Sequence, residues 1–276
     1  MTTTPESIFI YDAPDIMGLN IGLIAQFLSE HLPDTEIETR TDFFTFHLGR
    51  FDLPQVEVLT EEIAPRLEER EVHNLISPQW RDDLAPVKPE DRGLGVVYLA
   101  EPLQDVMLPL IPEKERGDSY LHIAYIEQCL GSFETGETEL CLQIIKHGEP
   151  TIISTTGFVE APALPREYRF RKAQLIAFGM DEATEDLDET FAEKTLAHGD
   201  TRVTHVATGF ALKAIFHRLF GEDSCDDPNC PLYRARTHDE LSSAHLSDEA
   251  GLCDMHTQML IRARSNRDSR GNSKRH

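Results

Sequence analysis

The sequence predicts an α/β fold of the α+β kind: a mixed sheet with flanking helices, then a long helix and a compact cysteine-bearing C-terminal segment. Three observations predict it. Apolar strand-like runs alternate with helix-compatible stretches in the first hundred residues. A run of short strands follows, and the composition turns helical after a Pro-rich stretch at 160–166. Alternation followed by a strand run suits a layered α/β architecture.

Residues 7–12 (SIFIYD) give the first strand signal, and the apolar stretch 19–31 reads as a helix stopped by Pro33. Residues 36–47 alternate Thr, Phe and charged side chains and read as a second strand. In 56–71, Val56, Leu59, Ile63 and Leu67 stand near helical spacing, with Pro65 set to kink the helix. Residues 77–92 hold three prolines and read as a loop. Further strands are expected at 93–99, 121–128, 140–146 and 151–156, with a turn at 148–150. Parallel pairing is expected for the early strands only, where helices can supply the crossovers.

An acidic helix is expected over 181–198. A longer one runs from an Asp200 N-cap to Phe220, closed by Gly221 and buried along Val203, Val206, Phe210 and Ala214. From 262 to 276 the chain carries six Lys or Arg, one Asp and much Ser, Asn and Gly, and is expected to be disordered. The expected division is a sheet core at 1–175, a helical segment at 176–261 and a basic tail at 262–276.

The 276 residues include 49 Asp plus Glu against 26 Lys plus Arg, a net charge of −23. Without the tail (+5, six basic minus one acidic) the folded part carries about −28. Such a body repels phosphate backbones and anionic lipid, which leaves weak contact through the basic tail as the one route to nucleic acid. Scarce Lys (7, beside 19 Arg) with abundant carboxylates is what a high-salt cytosol favours. No run of ~18 apolar residues suggests a membrane span, and the N-terminus shows no secretory signal, so a cytoplasmic location is expected. In a reducing compartment the five cysteines read as thiols or metal ligands.

Several weak motifs carry nothing. Gly93-x-Gly95 precedes a strand instead of joining strand to helix. The acidic run from Asp181 has Asp186 where a calcium loop needs Gly. Cys129 and Cys141 sit in strand-like stretches and read as inert thiols. No Gly-x-Ser-x-Gly elbow occurs.

Four residues stand apart: Cys225 and Cys230, separated by Asp-Asp-Pro-Asn, and Cys253 and His256, separated by Asp-Met. Each pair can converge on one ion from a tight turn. Together they make a closed Cys3His zinc site that leaves no open position for water.

Gly221, Cys225, Cys230 and the spaced pair Cys253/His256 resemble the archaemetzincins, zinc metallopeptidases of the metzincin type. That family's pattern is His-Glu-x-x-His-x-x-Gly-x-x-His-Cys-x4-Cys-x-Met, followed after a spacer by Cys-x-x-Cys. Here His256 replaces the last Cys and Leu232 the Met. Counted back from Gly221, the catalytic His-Glu-x-x-His positions hold Ala214, Ile215 and Arg218, and the third His position holds Ser224. A one-residue shift brings in His217 but puts Lys213 and Ala214 where the first His and the Glu belong. The weak candidates His205 and His217 stand ~18 Å apart along a helix, too far to share an ion. Convergence of His205, His217, His238 and His245 with Glu193, Asp223 or Glu240 would need the tertiary fold.

The resemblance implies a metallopeptidase-family protein that keeps one structural zinc and has lost peptidase chemistry, leaving a binding or regulatory role toward a protein or peptide partner. The alternative is an active zinc hydrolase with unconventional ligands and a second, catalytic zinc. A nucleic-acid module using the tail is opposed by the acidic body.

Overall fold

A computed structural model describes residues 4–13, 16–49, 66–67, 97–133, 140–180, 183–221 and 224–273. Strand β1 (Ser7–Tyr11) leads through helix α1 (Ile21–His31) to β2 (Glu36–Arg40), and helix α2 (Phe43–Leu48) follows. The described chain then gives β3 (Arg66–Leu67), β4 (Val97–Leu99), α3 (Ala100–Met107), β5 (Tyr120–Ile126), β6 (Cys129–Phe133), β7 (Leu140–Gln143), β8 (Ile145–Lys146) and β9 (Thr151–Ser154). Helices α4 (Gly157–Glu160), α5 (Arg166–Ala177), α6 (Ala183–Phe191), α7 (Val203–Phe220), α8 (His238–His245) and α9 (Asp254–Ser273) complete it.

The larger sheet has the order β2-β1-β5-β9-β8, parallel except at the β8 edge. A smaller sheet runs β3-β4-β6-β7. Period-two alternation divides the large sheet's side chains between two cores. Ile8, Ile10, Leu121, Ile123, Tyr125 and Ile153 face α1 and α7. Phe9, Tyr11, Ala124, Ile126 and Ile152 face α2 and α3. Helices therefore cover both faces, and the central strands are apolar almost throughout, as parallel sheets require.

The α/β class, β1, α1, the strands near 121–128 and 151–156 and the long helix all stand where expected. Other elements differ. The expected strand 36–47 ends at Arg40, because Asp42 caps a new helix by accepting a bond from the Thr45 amide at 2.9 Å. The stretch 140–146 is two strands: β7 pairs with β6, and past Ile144 β8 pairs with β9 in the other sheet. Parallel pairing is not confined to the early strands: it also joins β5 to β9, whose connection contains strands β6–β8. Helix α3 lacked a sequence signal because it is short and carries Pro102 in its first turn.

The helix expected at 56–71 and the loop at 77–92 lie outside the described residues, save that Arg66–Leu67 form a strand antiparallel to β4. Asp200 does not cap α7. It accepts from the Arg202 amide (2.8 Å) and guanidinium (2.6–3.0 Å), and the helix starts three residues later. The start of α7 is fixed instead by Thr204, whose hydroxyl donates to Gly18 O and accepts from Asn20 N. Gly221 ends the helix in the left-handed region (φ 68°), its amide bonding to His217 O. Residues 262–273, expected to be unordered, continue helix α9, whose last described buried residue is Ala263. Docking of Leu260 and Ala263 on the main core anchors that helix. Among the described residues no helix is long and apolar enough to cross a membrane.

Candidate metal centre

Helix α7 is buried on nearly every side, so its C-terminal end delivers the next segment directly onto the core. Four residues after Gly221 comes Cys225, which bridges to Tyr233 as the loop doubles back. Asp227 shapes the turn: its carboxylate accepts from Asn229 N at 3.0 Å and its carbonyl from Cys230 N at 3.1 Å. The Asp227 amide in turn donates toward Cys225 Sγ at 3.4 Å. This is the compact turn that Asp-Asp-Pro-Asn between two cysteines suggests.

The second half is a helix start. Thr257 N bonds to Cys253 O at 2.9 Å, which winds Cys253 and His256 onto neighbouring positions of one turn. Asn229 joins the halves, its carbonyl accepting from Gly251 N and its side-chain amide donating to Glu249.

The four donors converge. Cys225 Sγ lies 3.8 Å from Cys253 Sγ, and His256 Nδ1 lies 3.7 Å from Cys230 Sγ and 3.1 Å from Cys253 Sγ. All four ligand atoms fall within 4.8 Å of one another, so the group can hold one metal ion. Cys230 and His256 are buried (0% and 1% exposed), and the Phe216 ring packs edge-on against His256 at 5.2 Å. Burial pushes the Cys225 thiol up to about 12, with the neighbouring thiols adding to the shift. Cys230 moves in the same direction for the same leading reason. Thiols crowded this closely resist ionisation until a cation sits among them.

The other sequence candidates do not gather. Among the described residues, Cys225, Cys230, Cys253 and His256 are the one set of three or more His, Cys, Asp or Glu donors close enough to share an ion. His205 is exposed on α7, and His217 stacks on His147 with centroids 4.0 Å apart. His238 is fully engaged, Nδ1 accepting from Leu196 N and Nε2 donating to Val159 O. Glu240 closes the cap of α8, and Asp223 lies outside the described residues. Positions Ala214 and Ile215 are buried in the main core (1% and 0% exposed), and Arg218 donates to Gly117 O and Asp118. Cys129 is buried in the small sheet, which drives its thiol far up and fits an inert role.

A second polar centre escaped the sequence reading. Tyr11 Oη lies 2.9 Å from His122 Nδ1, 3.0 Å from His47 Nε2 and 3.0 Å from the Arg40 guanidinium. His122 Nε2 donates to Glu115 O, so its Nδ1 accepts from the tyrosine hydroxyl and His47 Nε2 donates to it. Arg40 also pairs with Glu38 and Glu115. Tyr11 and His122 stand 111 residues apart, which leaves no local pattern to read.

Nothing among curated proteins matches the chain. A solved structure, archaemetzincin from Methanopyrus kandleri, is 14% identical over 94% of this chain and 95% of its own, with a TM-score of 0.42. The model of the "Probable metallopeptidase family (DUF6775)" matches residues 4–263. The chain therefore belongs to that family.

Proposed function

We propose that this metallopeptidase-family protein uses Cys225, Cys230, Cys253 and His256 to hold one structural zinc, has lost peptidase chemistry, and acts by binding. The observation that carries the reading is the pairing of a complete four-donor set with Ala214 and Ile215 sealed in the core at the catalytic positions of the archaemetzincin pattern.

Zinc suits the donor set. Zn–S near 2.3 Å and Zn–N near 2.0 Å place tetrahedral ligand edges at about 3.8 Å between sulfurs and about 3.5 Å between sulfur and nitrogen. The separations of 3.8, 3.7 and 3.1 Å lie around those values. Bound there, zinc supplies stability, because four protein ligands leave no position for an activated water. The chain's own part is to pre-form the two turns and cover the ligands with Phe216 and the α7 terminus.

The test is metal analysis of purified protein beside a peptide-cleavage assay. One zinc per chain without metal-dependent cleavage is expected. Two tightly bound zincs, with cleavage abolished by a chelator, would overturn the reading in favour of an active hydrolase.

A further inference from the structure

Strand order in the large sheet reverses at β1. The chain leaves β1 through α1 on one face to reach β2, and it reaches β5, on the other side of β1, from α3 on the opposite face. In parallel sheets, ligands settle in the crevice beyond the carboxyl ends of the strands at such a reversal. A crevice of about 140 Å³ lies there, lined by Ile16 after β1, Glu127 after β5, and Thr155 and Thr156 after β9. Parallel register sets these strand ends side by side: Thr155 N bonds to Ile126 O at 2.9 Å and Thr156 N to Glu127 O at 3.3 Å. The volume is that of about five waters. Val203, which α7 contributes, stands ~16 Å along the helix from Ala214. The crevice is therefore separate from the catalytic positions of the archaemetzincin pattern.

Its lining keeps acceptors in reserve. Thr155 spends its hydroxyl on Ile126 O. The Thr156 hydroxyl, on a residue only 7% exposed, bonds to no described group and is open to water. His198, also in the lining, donates from Nε2 to Glu160 at 2.9 Å, so Nδ1 of its neutral ring is an acceptor. That hydrogen bond raises the ring's pKa; burial opposes the shift, and the charges of Glu160 and Glu127 add to it. The exposed Glu127 carboxylate is thus near enough to act on the ring. No Lys or Arg lines the crevice, and among the described residues its donors do not gather closely enough to share a metal ion.

We propose that this crevice binds a small primary amine in its ammonium form, with Thr156, Glu127 and His198 accepting from its N–H groups. An ammonium offers three donors and no acceptor, which matches a lining of acceptors. Ile16, Val159 and Val203 supply apolar wall for a short hydrocarbon stem. An anion would meet the Glu127 and Glu160 carboxylates with no lysine or arginine to offset them. The proposal rests neither on the zinc nor on loss of peptidase chemistry.

The test uses full-length zinc-loaded protein and three probes of one shape: n-propylammonium, 1-propanol and propionate. Binding is followed by ligand-observed NMR at pH 8.5, where the ring is neutral and the amine charged, with tetraethylammonium chloride holding the ionic strength. Wild type should bind propylammonium about 10-fold more tightly than 1-propanol, the ratio a charge-assisted hydrogen bond gives over a neutral one. Thr156→Val should weaken propylammonium about 5-fold and Glu127→Gln about 3-fold, with zinc content unchanged in both. No binding of propylammonium, equal affinity for 1-propanol, or tighter binding of propionate would each overturn the proposal without recourse to any variant. An affinity unmoved by both substitutions would overturn it too, as attraction to the acidic surface at large. Displacement of propylammonium by an equal concentration of potassium would overturn it in favour of an inorganic cation.

Discussion

Around Tyr11, polar side chains lie buried between the large sheet and α2 and hydrogen-bond to the tyrosine hydroxyl. Beneath the end of α7, three thiols and an imidazole converge with soft donors facing one another. In the first centre Arg40 carries a charge balanced by Glu38 and Glu115, and each hydrogen bond of the Tyr11 hydroxyl lands on a partner from another strand or helix. In the second, the donors lie 3.1–3.8 Å apart where an ion would join them. Burial of polar groups is tolerated when their bonds are completed. The Tyr11 hydroxyl has one donor bond and two acceptor bonds to protein groups, whereas the Cys3His donors face one another in a set that can hold a cation. The difference separates a structural device built from side chains alone from one whose donors are placed to hold a metal.

The comparison can be broken first at the metal. Cys230→Ser should lose zinc and cost several kcal/mol, part of the ~10 kcal/mol that structural zinc contributes in small domains. Urea unfolding with and without chelator checks it: chelator should destabilise wild type and leave the variant unchanged. Ile123→Ala, in the middle of the sheet, should cost about 2–5 kcal/mol while zinc content stays at the wild-type level. If zinc is lost there too, the two regions are not separable.

The next effects concern the network. Tyr11→Phe should cost about 2 kcal/mol, because His47, Arg40 and His122 each lose a partner in a buried site. Denaturant midpoints measure it, again with unchanged zinc. Acid should act through His122, whose pKa is lowered to about 4 by burial first, with Arg40 adding to the shift and Glu115 and Glu38 opposing it. The unfolded chain protonates this histidine near 6.5 and the folded one does not. Its contribution is therefore intact above pH 6.5 and lost as pH falls toward 4, at up to about 1.4 kcal/mol per pH unit. His122→Gln should flatten that part of the stability–pH curve, and an unchanged slope would contradict the assignment. Smallest of all, Gly221→Ala should cost about 1 kcal/mol by forcing a Cβ into the left-handed region at the end of α7.

What could be read in the sequence follows from separation along the chain. Cys225/Cys230 and Cys253/His256 are local pairs, so spacing alone announced the site, and the structure brings them together. Strand β1 was legible as a nearly unbroken apolar run, and helix α7 because its apolar pattern is long. The split at Ile144 was not, since an apolar run looks the same whether one sheet or two receive it. Asp42 ended β2 early through a cap that the expected strand 36–47 passed over. The Tyr11 network was invisible for a different reason: it is assembled from segments far apart in sequence.

The most direct test of the central claim is X-ray absorption at the zinc edge of the purified protein. A closed site requires three sulfurs near 2.3 Å and one nitrogen near 2.0 Å, with no water oxygen in the shell. A shell dominated by nitrogen and oxygen, or one including a water, would contradict it.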